Sequence, residues 1–331
     1  MAKNIENKLS LRYFSTVTAK KVDWLWYPYI PFGKITIAQG DPGDGKTTLI
    51  LNIAALLSTG LPMPEASNNL NPVNIIYQSA EDGTEDTLKP RLVTAGADCS
   101  RIAFVDESKY GLKLNDCRIE TAINETGARL LVLDPLQAYL GENSEMNRAD
   151  GIRPMLKQLT SIADRTGCAV VVIGHMNKAS GSKGIYRGLG SIDITAAARS
   201  VLLVGRIKNN PAVRVMLQLK NSLAEEGMPI AFEINDDSSV RWIGEYDITA
   251  DELLNGEEPL NDRNKFSEAV DKLEKMLDDG EVPCSRIYRV MNNMGIGKRS
   301  VDRAKKQLNI KSIKRADGWY WSLQEVACEQ G

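Results

Sequence analysis

The chain has 331 residues, 43% of them hydrophobic and 25% charged, with a net charge of −2. This composition is ordinary for a globular protein, and no apolar run approaches the roughly 18 residues of a membrane-spanning helix, which excludes a helical membrane protein and predicts one large domain with one small one. The start, "MAKNIENKLSLRYF", has no signal-peptide core, and the five cysteines are too scattered for a CxxC site, so a reducing cytoplasm is the expected compartment and zinc is not expected.

After an N-terminal segment ending in "VDWLWYPYIPFG", apolar runs alternate with helical patterns. Strands are expected at "KITIAQG" (34–40), "VNIIYQSA" (73–80), "RIAFVD" (101–106), "RLLVLD" (129–134) and "CAVVVIGH" (168–175), with helices between them at 46–60, 84–97, 117–127 and 151–167. Near-continuous Val/Ile/Leu strands separated by helices imply a mainly parallel sheet covered on both faces, so the fold class is α/β. From Val201 four closely spaced runs, "VLLVGRI", "AVRVMLQLK", "PIAFEIN" and "VRWIGEY", predict an antiparallel extension of that sheet. The large domain is thus expected to cover 1–247. The acidic, polar stretch 248–264 reads as a linker. Residues 265–325 carry three helical patterns and then two short strands around Asp317-Gly318, the order of a small C-terminal winged-helix domain.

Within the first strand-to-helix junction, "GDPGDGKT" fits G-x-x-x-x-G-K-[ST] in the context that its chemistry requires. The backbone of Gly40, Asp41, Pro42, Gly43, Asp44 and Gly45 would turn N–H groups toward phosphate oxygens, and the helix start at Lys46, Thr47 and Thr48 adds its positive dipole end. Lys46 would reach the β- and γ-phosphates of ATP, and Thr47 would hold Mg²⁺. Asp134 ends the run "RLLVLD" at the carboxyl edge of the sheet, where ligands of α/β sheets bind, and is the expected water-mediated partner of Mg²⁺. A group that polarises the attacking water is also needed. Glu81, just past the second strand, is the first candidate for it and Asp82 the alternative.

The charge is unevenly spread. Between Ser285 and Arg315 stand ten Lys or Arg and one acid, a local +9 that leaves −11 on the remainder, as for a polyanion-binding appendix on an acidic body. In "GKRSVDRAKKQLN", Arg299, Arg303 and Lys306 share one helical face, while Val301, Ala304 and Leu308 supply the inward one. Such a helix suits the major groove, with Lys298 at its start and Lys314 and Arg315 on the wing; a charge run is otherwise a solvated face.

The order "GDPGDGKTT", "SAEDG", "LLVLDPL", "VVIGHMNK", "RGLGSIDITAAARSVLLV" and "LKNSLA" resembles the RecA-like P-loop ATPases and, within them, the RepA-type hexameric helicases of plasmids and phages, over about residues 20–246. The resemblance implies a RecA-like core, Glu81 as catalytic carboxylate, and His175, the only histidine, as the residue that senses the γ-phosphate ahead of a DNA-facing loop carrying Lys178, Lys183 and Arg187. It also implies a basic finger reaching a neighbouring subunit, Lys220 first and Arg214 second, and a further loop where Arg148 and Arg153 could meet phosphate. The function implied is an ATP-dependent helicase or translocase on single-stranded and forked DNA, a homo-oligomer, hexameric in the family, working with other replication proteins. A DNA-binding regulator or loader switched by ATP, and a recombination filament ATPase, are the alternatives. A small-molecule kinase would share Lys46 and Asp134 but leaves the basic C-terminal region unexplained.

Overall fold

The computed structural model describes residues 11, 13–66, 71–140, 149–176, 192–208, 210–255, 262–278, 280–315 and 318–323. The N-terminal segment forms a small hairpin of β1 (Trp24–Trp26) and β2 (Ile30–Pro31). The main domain then runs β3 (Ile35–Gly40), α1 (Lys46–Thr59), β4 (Asn74–Ser79), α2 (Lys89–Thr94), β5 (Ile102–Ala103), α3 (Cys117–Thr126), β6 (Ala128–Asp134), α4 (Ala149–Thr166), β7 (Ala169–His175) and α5 (Ile192–Ala197). It closes with β8 (Ser200–Ile207), β9 (Asn210–Asn221), β10 (Ile230–Ile234) and β11 (Val240–Glu245).

Among the described residues nine of these strands form one sheet in the order β11-β10-β9-β8-β3-β7-β6-β4-β5. Pairing is parallel from β8 to β5 and antiparallel from β8 to β11, so the α/β class and the antiparallel extension stand as the sequence predicted. The strand that feeds the phosphate loop, β3, is separated from the aspartate strand, β6, by the histidine strand, β7.

Alternation along each strand divides the core. Ala38, Val132, Val171 and Ile173 pack with Leu49, Ile53 and Leu57 of α1, while Ile35, Ile37, Leu131, Leu133, Val170 and Val172 pack on the other face with Ile119 and Ile123 of α3 and Leu156 and Leu159 of α4. Full burial of each such side chain contributes about 1.5–3 kcal/mol, and these residues fix the sheet edge at which the strand ends converge.

Three expectations are corrected. The predicted helix 84–97 is a single wide π turn at Thr84–Leu88 followed by the six residues of α2, with Pro90 at the junction where its missing N–H is tolerated. The strand predicted at 101–106 is only Ile102–Ala103, an edge pairing that ends before the exposed Phe104. The stretch read as a linker from 248 begins with a helix, α6 (Ala250–Asn255). Thr249 and Glu252 cap it reciprocally: the Thr249 N–H and hydroxyl donate to Glu252 Oε2 at 2.7 and 2.8 Å, and the Glu252 N–H donates to Thr249 Oγ1 at 3.2 Å. Ile248 and Leu253 are buried against Leu203, Val215 and Leu217, so this segment belongs to the core. Residues 256–261 lie outside the described set.

The C-terminal unit consists of α7 (Asp262–Leu277), β12 (Val282–Pro283), α8 (Cys284–Asn293), α9 (Lys298–Gln307), β13 (Lys311–Arg315) and β14 (Gly318–Ser322). The strands make an antiparallel sheet in the order β12-β14-β13, one strand more than the sequence suggested. Leu273, Ile287, Met291, Val301, Ala304 and Trp321 form a core separate from that of the main domain. No helix among the described residues is long and apolar enough to cross a membrane.

Candidate active site at the phosphate loop

The loop between β3 and α1 depends on its glycines. A Cβ on Gly40 would stand 2.1 Å from the Val204 carbonyl oxygen of the adjacent β8, so only glycine lets the two backbones approach. Gly45 caps α1 with φ +89°, in the left-handed region that favours glycine. Lys46 is 4% exposed, and its ammonium donates to the carbonyl oxygens of Gly40 (3.0 Å) and Asp41 (2.8 Å). Burial pulls its pKa below the ordinary lysine value, against the opposing pull of Asp44, Asp134, Asp41 and Glu81.

Thr47 and Asp134, the two residues expected at the metal, lie side by side. The Thr47 hydroxyl donates to Asp134 Oδ2 at 2.7 Å across 87 residues of chain. A second donor to the same oxygen, the Tyr77 hydroxyl at 3.0 Å, was not predicted; the signal available was a tyrosine inside the otherwise apolar strand before "SAEDG". Asp134 is 6% exposed, and desolvation raises its carboxyl above the usual range, with Thr47 and Tyr77 lowering it and the charges of Asp82 and Glu81 raising it further. The pair offers only hard oxygen ligands. Among the described residues no group of three or more His, Cys, Asp or Glu surrounds a metal position.

The two acids after β4 differ in their commitments. Ser79 is the register partner of Asp134, and the Ala80 N–H donates to the Asp134 carbonyl at 2.9 Å, so the chain leaves the sheet beside the aspartate. Asp82 is occupied: Arg91 Nη1 lies 3.2 Å from its carboxylate, and its N–H donates to Ser79 Oγ. Glu81 is exposed, with no hydrogen-bond or ion-pair partner among the described residues, yet close enough for its charge to act on Lys46 and Asp134.

His175 ends β7 as the register partner of Gly40, and the Met176 N–H donates to the Gly40 carbonyl at 3.3 Å. Among the described residues its buried Nδ1 has no hydrogen-bond partner. The loop after it, with Lys178, Lys183 and Arg187, lies outside the described residues, as does Arg148; Arg153 is on the exposed face of α4.

Nothing in the sequence points to Gln39, which is 0% exposed with neither its amide nitrogen nor its oxygen bonded among the described residues. An unsatisfied buried amide costs about 1–3 kcal/mol. Gln39→Met, close in volume and apolar, is therefore expected to raise the melting temperature, by about 2–4 °C for each kcal/mol recovered. A thermal melt with an unchanged or lower midpoint would contradict this.

The expected finger residues both serve their own chain. The Lys220 ammonium donates to the carbonyls of Thr195 and Ala198, both at 2.9 Å, at the end of α5, and its pKa is lowered by burial and by Arg199. Arg214 packs on its own phosphate loop beside Gly45.

Of the predicted nucleic-acid contacts, Lys306 and Lys314 are exposed, and Lys298 is exposed near the Tyr288 ring. The backbone of Arg299 lies in α9, while its side chain is outside the described set. Arg315 is paired with Glu281 at 2.8 Å. Arg303 lies over the Phe266 ring and 3.8 Å from Asp247 of the main domain, to which Ser300 Oγ also donates at 2.9 Å. Between the units is a cleft of about 790 Å³, lined by Glu225, Glu226 and Glu245 on one side and Lys298, Arg303 and Lys306 on the other.

Comparison with known proteins finds these similarities. DNA repair protein RadA of Halalkalibacterium halodurans and that of Bacillus subtilis are each 28% identical over 151 residues, 44% of this chain, and RadA of Brucella abortus is 24% identical over 151 residues. The chain spans 28% of the length of the first two relatives. A solved structure, the ATPase domain of G40P, aligns with a TM-score of 0.48 at 14% identity over 64% of this chain and 85% of that one. The AAA domain family (AAA_25) matches residues 9–181, just over half of the chain and the whole span from the N-terminal segment through the phosphate loop, Glu81, Asp134 and His175. With a phosphate loop and a buried aspartate beside its threonine, the chain belongs to the AAA domain family.

Proposed function

We propose that the chain is an ATP-dependent DNA helicase or translocase that works as a ring-shaped oligomer, hexameric in the family its motif order resembles, in the replication of a plasmid or phage. The observation that carries this reading is the carboxylate of Glu81, without a partner among the described residues, beside the Thr47–Asp134 pair. A site that only sensed nucleotide would have no use for an uncommitted base where water attacks.

Thr47 directly and Asp134 through water would hold Mg²⁺, which supplies charge neutralisation between the β- and γ-phosphates. Lys46 exchanges its loop carbonyls for phosphate oxygens. Glu81 orients and polarises the attacking water, and His175, next to Gly40 and followed directly by the predicted DNA-facing loop, passes the state of the γ-phosphate to that loop. Residues 265–325 act as a winged helix-turn-helix on DNA, with α9 as the groove-facing helix. Support for DNA as the substrate comes from that basic helix and from relatives whose name places them in DNA repair.

One observation favours the second reading, an ATP-switched DNA-binding regulator or loader: Ser300 and Arg303 of α9 are tied to Asp247 of the ATPase domain, so that nucleotide state could govern access to the helix. The test is strand displacement on a forked duplex with Mg²⁺ and ATP. The helicase reading predicts displacement that disappears in Lys46→Ala. Hydrolysis stimulated by DNA but without displacement would select the second reading.

A further inference from the structure

The basic side of α9 is turned toward the main domain. Lys298, Asp302 and Lys306 follow one another at four-residue intervals, and Arg303 and Gln307 do the same beside them, so all five share one side of the helix. All five line the cleft between the units, which Glu225, Glu226 and Glu245 line from the main domain. Asp302 is engaged within its own unit, where the Tyr288 hydroxyl donates to it at 2.5 Å. Asp247, two residues past Glu245, makes the direct contact: Ser300 Oγ donates to its Oδ2 at 2.9 Å, and Arg303 Nη1 is 3.8 Å from the same oxygen. Ser300 is 4% exposed and the Asp247 side chain 11%, so salt screens this contact less than it would an exposed pair.

A helix that reads DNA has to enter the major groove, which is about 12 Å wide, and a helix with its side chains is itself about 10–12 Å across. The groove leaves no room for a second protein wall against the reading side. With Ser300 and Arg303 held on Asp247, the main domain and a duplex compete for the same side of α9. The chemistry of the wall matches that of its competitor. Carboxylates of Glu225, Glu226, Glu245 and Asp247 face Lys298, Arg303 and Lys306, where a duplex would present phosphates.

We propose that the acidic face of the main domain is a built-in competitor of duplex DNA: it holds α9 closed, and DNA gains the helix only by displacing Glu225, Glu226, Glu245 and Asp247 from it. This rests on the reading of α9 as the groove-facing helix. The competition is direct and requires no change of nucleotide. The apparent affinity of the full chain for a duplex is then its open-state affinity reduced by the fraction of molecules that are open.

The test is fluorescence-anisotropy titration of a short labelled duplex with the full chain, without nucleotide, in wild type, Asp247→Asn, the double variant Glu225→Gln/Glu226→Gln and Glu125→Gln, each with a thermal melt. Glu125, exposed on α3, is the charge-matched control for Asp247. Asp247→Asn keeps the size of the side chain and is expected to tighten duplex binding about tenfold as the open fraction rises, with Glu125→Gln within about twofold of wild type. The double variant lies in the exposed connection between β9 and β10, and its expected tightening of about threefold answers the same question should Asp247→Asn melt early. Unchanged binding in a folded Asp247→Asn would overturn the proposal, and so would equal tightening in Glu125→Gln, which would reduce the effect to net charge. Adding Lys306→Ala to Asp247→Asn tests α9 itself. Loss of that phosphate contact is expected to weaken binding again, by about fivefold. No loss there, or a wild type and Asp247→Asn that both failed to bind the duplex, would overturn the reading of α9 as the DNA-facing helix.

Discussion

Glu81→Gln is expected to slow ATP hydrolysis by about 10²–10⁴-fold while nucleotide affinity stays within about twofold of wild type. Glutamine keeps the size and a hydrogen-bonding oxygen but cannot draw a proton from water. The effect should be confined to turnover because Glu81 holds nothing together: it is exposed and has no partner among the described residues. Asp82→Asn provides the contrast. Its carboxylate is engaged by Arg91 at 3.2 Å, so that change should alter the turn after β4 and not the chemistry, with turnover falling far less. Single-turnover hydrolysis alongside equilibrium binding separates the two. A Glu81→Gln protein that hydrolysed at the wild-type rate would transfer the role to Asp82.

Lys46→Ala is expected to abolish nucleotide binding at micromolar concentrations and to lower hydrolysis by at least about 10²–10³-fold, the range for losing one preorganised donor to a developing anion. Two consequences combine. Phosphate loses a charge-assisted donor, and Asp44, Asp134, Asp41 and Glu81 lose the positive charge they surround. The loop carbonyls of Gly40 and Asp41 lose their donor as well. Lys46→Arg should not restore function, because the ammonium is 4% exposed and a planar fork with five donors does not fit where a compact ammonium bridges two carbonyls. Tight ATP binding by Lys46→Ala would mean that the backbone alone holds the phosphates.

The parts of this site that could be read from sequence are those whose chemistry needs neighbouring residues. The phosphate loop is contiguous, and Asp134 and His175 each follow an apolar run whose end marks the sheet edge, so their convergence follows from parallel pairing. Tyr77, Gln39 and Arg206 were not legible because their roles come from register: a hydroxyl reaching across to β6, an amide left unpaired on β3, and a guanidinium carried to Gly43 from 163 residues away. Arg214 was legible as a basic residue of interest, but the direction it faces depends on which side of β3 its strand adds to the sheet. The helix at Ala250–Asn255 is a different case. Thr249 and Glu252 have the spacing of a capping box, a local signal outweighed by the acidic composition around it. In the C-terminal unit the helices were legible from their periodicity, whereas the two-residue β12 and the tie between Ser300 and Asp247 depend on contacts distant in sequence.

The most direct test of the central claim, that hydrolysis at this phosphate loop is coupled to DNA, is the steady-state rate of ATP hydrolysis with and without single-stranded DNA, in wild type and Lys46→Ala. The account predicts a Mg²⁺-dependent rate that DNA stimulates several-fold in wild type and that is absent from Lys46→Ala in both conditions. A wild-type rate indifferent to DNA, or a DNA-stimulated rate that survived Lys46→Ala, would contradict it.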